Sequence, residues 1–577
     1  MIFSKKQVFS NVVIALFFIV IPLVNFNHHQ YASEEGVIEW DVKSYYAYLP
    51  AAFIYHDLSL DFLDGNNDLG KWIWPVTTPT GNRAILTTMG LSFLYAPSFF
   101  IGHAVALISP QYEATGYSYP YHVALQFSTF IYFLISLIFL RKILNKYFND
   151  KVVALTLFAI GAGTNLFFYV GYSAPMAHAY NFFLIVLFIY FLEKWSNNIN
   201  VKYTILLGAI SGLVALIRPT NILVLVLIPL WHVGSWTDFQ KQVLLLLKKW
   251  PYIVLMAVIF ILVWAPQFVY WKYVSGKFFY FSYGERGDKF YFANPQIWKV
   301  LFSYEKGWFV YTPMMLLAIL GLFALRERSI KLSLPILIYV SLTVYVLSSW
   351  WCWWYGGSFG QRSMIDFYGL MAIPLAALFD SAIKKRIINY VFIAIVFGLV
   401  AFNQFNIQQL RNMALSYWWV NKEGYWENFL KLHPTCKYWN IAMHPDYDKA
   451  RLGIYEWVAP FNRKQEVTNE MLVERIVNDN KNNTALIDSL RVNHTESFKP
   501  DTVLLNDFAQ LIVVNNLAES YFKKIKIDYY INEINNCASW KKNIVKMAEK
   551  RDLSYQQMAF LEAKRVYKNY SQKYDQR

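Results

Sequence analysis

Apolar runs separated by short polar stretches fill the chain up to Phe402; beyond it the sequence turns polar with helical spacing, as at residues 469–477 and 555–570. A bilayer core about 30 Å thick takes about 20 mostly apolar residues per helix. Runs of this kind lie at 8–24, 121–140, 152–170, 181–192, 203–217, 222–233, 252–270, 310–325, 332–350, 364–383 and 387–402, which predicts about eleven spans. The first follows Lys5 and Lys6 and has no small-x-small cleavage site after it, so it reads as a retained signal anchor.

The polar connectors are of two kinds. One carries Arg141, Lys142, Lys146 and Lys151; its counterparts carry Lys194 and Lys202, then Lys241, Lys248 and Lys249, then Arg326, Arg328 and Lys331, then Lys384, Lys385 and Arg386. The positive-inside rule places these with the N-terminus in the cytoplasm. Residues 85–108 are apolar enough to cross but hold Pro97 and His103; if they crossed, every basic connector would lie outside. Parity therefore predicts a re-entrant or interfacial helix pair there, within a first outer loop over 26–120. The fold expected is all-α: a polytopic membrane bundle with outer-face juxtamembrane helices over 1–405, then an extracytoplasmic, mainly helical domain over 406–577. The outer face collects 25–83, 171–180, 218–221, 271–309, 350–363 and the tail, and the chemistry is expected on it.

Composition agrees, with 56% apolar and 16% charged residues against roughly 45–50% and about 25% in soluble chains. The formal charge of +15 is accounted for by the basic connectors, so no nucleic-acid partner is expected, only membrane lipid. Three cysteines exclude a disulfide framework and fit no zinc spacing. At most one bridge can form, and Cys436 and Cys537 both fall in the tail.

Neither a GxxxxGK[ST] loop nor an HExxH helix occurs, and Gly161-Ala162-Gly163 sits inside an apolar run as a helix-packing site. Just after the first span, Glu39-Trp40-Asp41 is followed by Tyr45, Tyr46 and Tyr48. Asp41 has two readings: the N-cap of the next helix, or a general base meeting a hydroxyl acceptor, with Glu39 beside it. The acids Asp57, Asp61, Asp64 and Asp68 read as a solvated face.

Three cations stand at outer ends of apolar runs. Arg218, in Arg218-Pro219-Thr220-Asn221, is a functional candidate, or a snorkelling or carboxylate-paired residue. Arg362 closes a run with Trp353, Trp354 and three glycines; Asp366, one turn on, is placed to pair with it. Lys306 is a phosphate contact with Glu305 as a second carboxylate, or both belong to a polar helix cap. His178 faces outward by parity, and residues 285–289 read as a solvated loop.

Together these residues resemble the GT-C superfamily of polytopic glycosyltransferases, in particular the bacterial protein O-mannosyltransferase and aminoarabinose transferase-like branch. The resemblance covers residues 1–405. It rests on Glu39 to Asp41, Tyr45-Tyr46-Ala47, Asp57-Leu58-Ser59-Leu60-Asp61, Thr78-Pro79-Thr80-Gly81, Ala96-Pro97, Arg218-Pro219-Thr220, Lys306-Gly307-Trp308 and Gly356 to Arg362, in that order. It implies an inverting transferase in the inner membrane of a bacterial cell envelope. Such an enzyme moves a sugar from a polyprenyl-phosphate donor to a hydroxyl of a glycan, lipid or protein acceptor on the periplasmic face. The family's essential first-loop Asp falls on Asp41. Arg218, Arg362 and Lys306 would then meet the lipid phosphate, and Tyr45, Trp353 and Trp354 would stack on sugar. The chain departs from the family in having His178 where some relatives place a second-loop acid, so no metal ligands are assigned and a divalent ion is left open. Two rivals are a polysaccharide polymerase or ligase and a lipid or sugar transporter.

Overall fold

The computed structural model describes residues 7–34, 36–64, 67–384, 386–458, 468–493, 500–515 and 517–570. Lys5, Lys6 and Lys385 lie outside the described residues. The chain forms two compact units, 1–410 with 447–454, and 411–446 with 455–577.

The first unit is a helical membrane bundle. Its principal helices are α1 (Val8–His28), α2 (Asp41–Phe53), α3 (Gly90–Ile108), α4 (Tyr119–Leu144), α5 (Asp150–Ala162), α6 (Leu166–Gly171), α7 (Ala177–Asn197) and α8 (Val201–Ile217). They continue as α9 (Trp236–Lys248), α10 (Trp250–Ser275), α11 (Met314–Glu327), α12 (Ser333–Ser348), α13 (Tyr368–Ile383) and α14 (Arg386–Arg411). Among the described residues seven helical segments are long and apolar enough to span a membrane, and three shorter apolar helices accompany them. The run at 152–170 is broken at Gly163, between α5 and α6, and that at 310–325 breaks before α11, where Pro313 lacks an amide donor.

Residues 85–108 do not form a helix pair. Ile85 ends a strand, Arg83–Ile85, paired antiparallel with Pro75–Thr77, and α3 runs unbroken through Pro97. One end of α3 meets the C-terminus of α8, where Thr88 Oγ1 donates to Leu216 O at 2.5 Å. The other meets the start of α4, where His103 Nδ1 lies 2.6 Å from Tyr121 Oη.

Small residues let helices approach closely. Gly208 and Gly212 of α8 face α10, Gly161 receives the ring of Phe17 from α1, and a Cβ on Gly321 would lie 2.0 Å from Pro374 O of α13. Buried Gln126 donates to Asn25, joining α4 to α1.

At one end of the bundle the basic connectors meet buried or half-buried acids. Glu193 is paired with Lys146 and lies 2.9 Å from His232 Nε2. Asp380 binds Lys384 at 2.9 Å and accepts from Asn149 at 3.3 Å, while Asp238 binds Lys331 at 2.9 Å.

The second unit is mainly helical. One core gathers Ile527, Ile534, Trp540, Ile544, Met558 and Val566 from helices Glu519–Asn536, Ala538–Arg551 and Tyr555–Tyr570. A disulfide joins Cys436 to Cys537 across 101 positions, with Cα atoms 5.9 Å apart, and Cys352 is a buried free thiol.

Candidate active site

The site lies at the opposite end from the basic connectors. Asp41 opens α2, and Trp40 before it takes φ 47°, ψ −127°, a region that residues with a Cβ rarely enter and that costs about 1–3 kcal/mol. Trp40, not Asp41, occupies the cap position, and no side chain bonds the helix start there. The N-cap reading of Asp41 is thereby corrected. Its carboxylate, 45% exposed, instead accepts from Arg362 Nη2 at 2.8 Å.

Arg362 therefore does not pair with Asp366. It starts a 3₁₀ turn, Arg362–Phe367, in which positions four apart do not share a face. Asp366 is buried and faces the other way, accepting from His178 Nδ1 at 2.9 Å, Arg218 Nη1 at 3.0 Å, Asn221 Nδ2 at 2.7 Å and Asn181 Nδ2 at 3.4 Å. Among apolar helices this is a densely satisfied carboxylate. Helix α8 ends at Ile217 because Pro219 cannot continue it, and this leaves Arg218 at the helix terminus with its guanidinium 5.7 Å from the centre of the Tyr355 ring.

Tyr355 and Gly356 both have positive φ, 59° and 65°, and this left-handed pair turns the chain back into the bundle. Inside, Phe359 N donates to Tyr169 Oη at 2.9 Å and Lys306 Nζ to Ser358 O at 2.8 Å. Lys306 is buried. That burial pushes its amine down to about 8 against the opposing charge of Glu305, with Arg362 adding to the fall. Tyr45, also buried, lies within the fields of Asp41, Arg218, Arg362 and Asp366; burial holds its phenol above the ordinary range, so it stays a neutral donor.

Asp41, Tyr45, His178, Arg218 and Arg362 thus surround one region, with Lys306 electrostatically coupled to Arg362. Tyr46 turns away, donating to Gly116 O at 2.6 Å. Trp353 and Trp354 are buried, Trp354 Nε1 donating to Tyr447 Oη at 3.2 Å, and Glu305 is buried beside Lys306. Glu39 is half-buried. Residues 285–289 are more than a solvated loop: Asp288 is buried and accepts from Arg451 Nε at 3.2 Å. In the acidic stretch, Asp64 binds Arg83 at 2.6 Å.

Sequence reading missed Asn181, Asn221 and Tyr355. Asn181 stands three residues after His178 on an apolar helix, one face carrying two polar groups, and that spacing was the available signal. Nothing marked Tyr355 within its aromatic run.

Among the described residues no three His, Cys, Asp or Glu side chains gather as metal ligands. Asp41 and Asp366 each face an arginine, a donor set that does not fit a divalent ion.

No protein-family model matches the chain, and no curated protein sequence does. Two solved structures, both of the Archaeoglobus fulgidus oligosaccharyltransferase, are similar to it. The apo form is 11% identical with a TM-score of 0.42, covering 74% of this chain and 60% of that one. The complex with Zn and sulfate is 13% identical with a TM-score of 0.38, covering 74% and 57%. The chain thus spans less than two thirds of their length, and at these values no donor, acceptor or metal carries over.

Proposed function

We propose that the protein is a membrane-embedded glycosyltransferase that uses a lipid-phosphate sugar donor, with Asp41 as general base. The observation that carries this reading is a half-exposed carboxylate held 2.8 Å from Arg362, with Arg218 fixed nearby by Asp366. In this reading Asp41 takes the proton and the two arginines receive the phosphate.

In the step proposed, an acceptor hydroxyl oxygen attacks the anomeric carbon and its proton passes to Asp41. The bond from that carbon to the phosphate oxygen breaks on the opposite face, and the electron pair leaves with the polyprenyl phosphate, inverting the centre. Arg362 and Arg218 bind the leaving phosphate as its charge grows; in a largely desolvated site such contacts act at low dielectric. The neutral phenol of Tyr45 donates into the same space. The Cys436–Cys537 bridge supports an oxidising, extracytoplasmic side for the second unit, and lipid-linked donors suit a side without nucleotide sugars.

The test is transfer of label from polyprenyl-phosphate sugars to endogenous acceptors in membranes carrying the native chain or Asp41→Asn at equal abundance. Loss of roughly 100- to 10,000-fold in the variant is the expected result; full transfer by Asp41→Asn removes the base assignment.

A further inference from the structure

Helix α9 belongs to none of the machinery above. It joins the short helix Leu227–Leu230 to α10, and none of its side chains is buried. Thirteen residues make a rod about 20 Å long, too short to cross. Trp236, Leu244 and Leu247 are 71%, 57% and 64% exposed and fall within one quarter of the helical wheel, where the exposed Gln240 is the one polar residue among them. The adjoining sector carries Lys241 and Lys248, with Lys249 at the helix end, all exposed. The half-buried side, Phe239, Gln242, Val243 and Leu246, faces inward, where Gln242 Nε2 reaches Ile228 O at 3.4 Å. Asp238, bound to Lys331, ties α9 to the end of the bundle where the basic connectors gather.

A tryptophan stands at each end, Trp236 and the exposed Trp250 that starts α10. Amphipathic indoles concentrate at the boundary between headgroups and acyl chains, and lysines beside an apolar face keep their amines at the water side. The element therefore has an apolar face, a basic face, aromatic ends, a short apolar helix before it and a span after it. Those are the features of a helix lying in the plane of a membrane surface. We infer that α9 is an in-plane lipid-binding element, with Trp236, Leu244 and Leu247 at the acyl boundary and Lys241, Lys248 and Lys249 against anionic phospholipid headgroups.

The test uses the full chain in nanodiscs of phosphatidylcholine, alone or mixed equally with phosphatidylglycerol. Leu247→Cys and Lys241→Cys carry an environment-sensitive fluorophore, with the unsubstituted chain as blank for Cys352. The label at 247 is expected to shift to shorter wavelength, to be quenched by nitroxides near the headgroups and to resist aqueous iodide. The label at 241 is expected to be quenched by iodide. Equal iodide quenching at both sites overturns the inference, and so does protection at 247 without lipid-nitroxide quenching, which would mean a protein covers the face. For the headgroup assignment, Lys241→Gln/Lys248→Gln/Lys249→Gln is expected to lower phosphatidylglycerol retained after detergent extraction by at least twofold. Unchanged retention overturns that part.

Discussion

Arg362 and Asp41 stand 321 positions apart in sequence and 2.8 Å apart in space. The same guanidinium is proposed to bind donor phosphate, so donor and carboxylate compete for it. In Arg362→Gln, transfer is expected to fall roughly 100- to 1,000-fold. In Asp41→Asn/Arg362→Gln the loss should be much smaller than the product of the two single losses, because the groups act as a unit. Initial rates of label transfer for the native chain and these variants give the cycle; fully additive losses would separate the two residues.

Asp366 predicts a stability effect of a different size. It is buried and answers a largely buried arginine, so Asp366→Ala leaves Arg218 without its carboxylate in an apolar setting. Breaking such a pair costs about 3–5 kcal/mol. A lowered thermal midpoint in detergent is expected for Asp366→Ala. Asp366→Ala/Arg218→Met, which removes both charges, should recover much of the loss while staying inactive in transfer.

The bundle was largely legible because apolar runs of membrane length and basic connectors carry strong signals. Breaks inside runs were not: Gly163 and Pro313 interrupt helices without interrupting hydrophobicity. Asp41, Arg218 and Arg362 stood out as charges beside apolar runs, whereas their pairing did not. The Arg362 to Asp366 spacing suits an α-helix, and the chain adopts a 3₁₀ turn there. Whether Asp41 caps its helix also depended on the backbone of Trp40, whose positive φ nothing in Glu39-Trp40-Asp41 announces.

Lys306 gives a pH dependence. Burial brings its amine down to about 8, so the ammonium predominates below that pH and is lost as pH rises through it. If the charged form supports donor binding through its place beside Arg362, transfer should decline above about pH 8. Lys306→Arg keeps the charge at far higher pH, so the limb should move out of range in that variant. The stability sign is the reverse. Because the folded amine holds its proton less tightly than the unfolded one, stability rises with pH between about 8 and the ordinary lysine range. A transfer profile that falls while the melting profile does not is therefore the expected pair of curves.

The disulfide closes a separation of 101 residues in the second unit. Cys537 is buried in the core that holds Ile534, Trp540 and Ile544. Loops of this length give a cross-link a large effect on the unfolded ensemble, and losing such a bridge typically costs about 2–5 kcal/mol. Cys436→Ser/Cys537→Ser, or reductant on the native chain, should lower the second unit's melting temperature by several degrees and speed its proteolysis. Thiol counting in denaturant should find one reactive cysteine, Cys352, before reduction and all three after it. Three thiols before reduction would mean that the bridge is not formed, and would remove its support for an oxidising compartment around this unit.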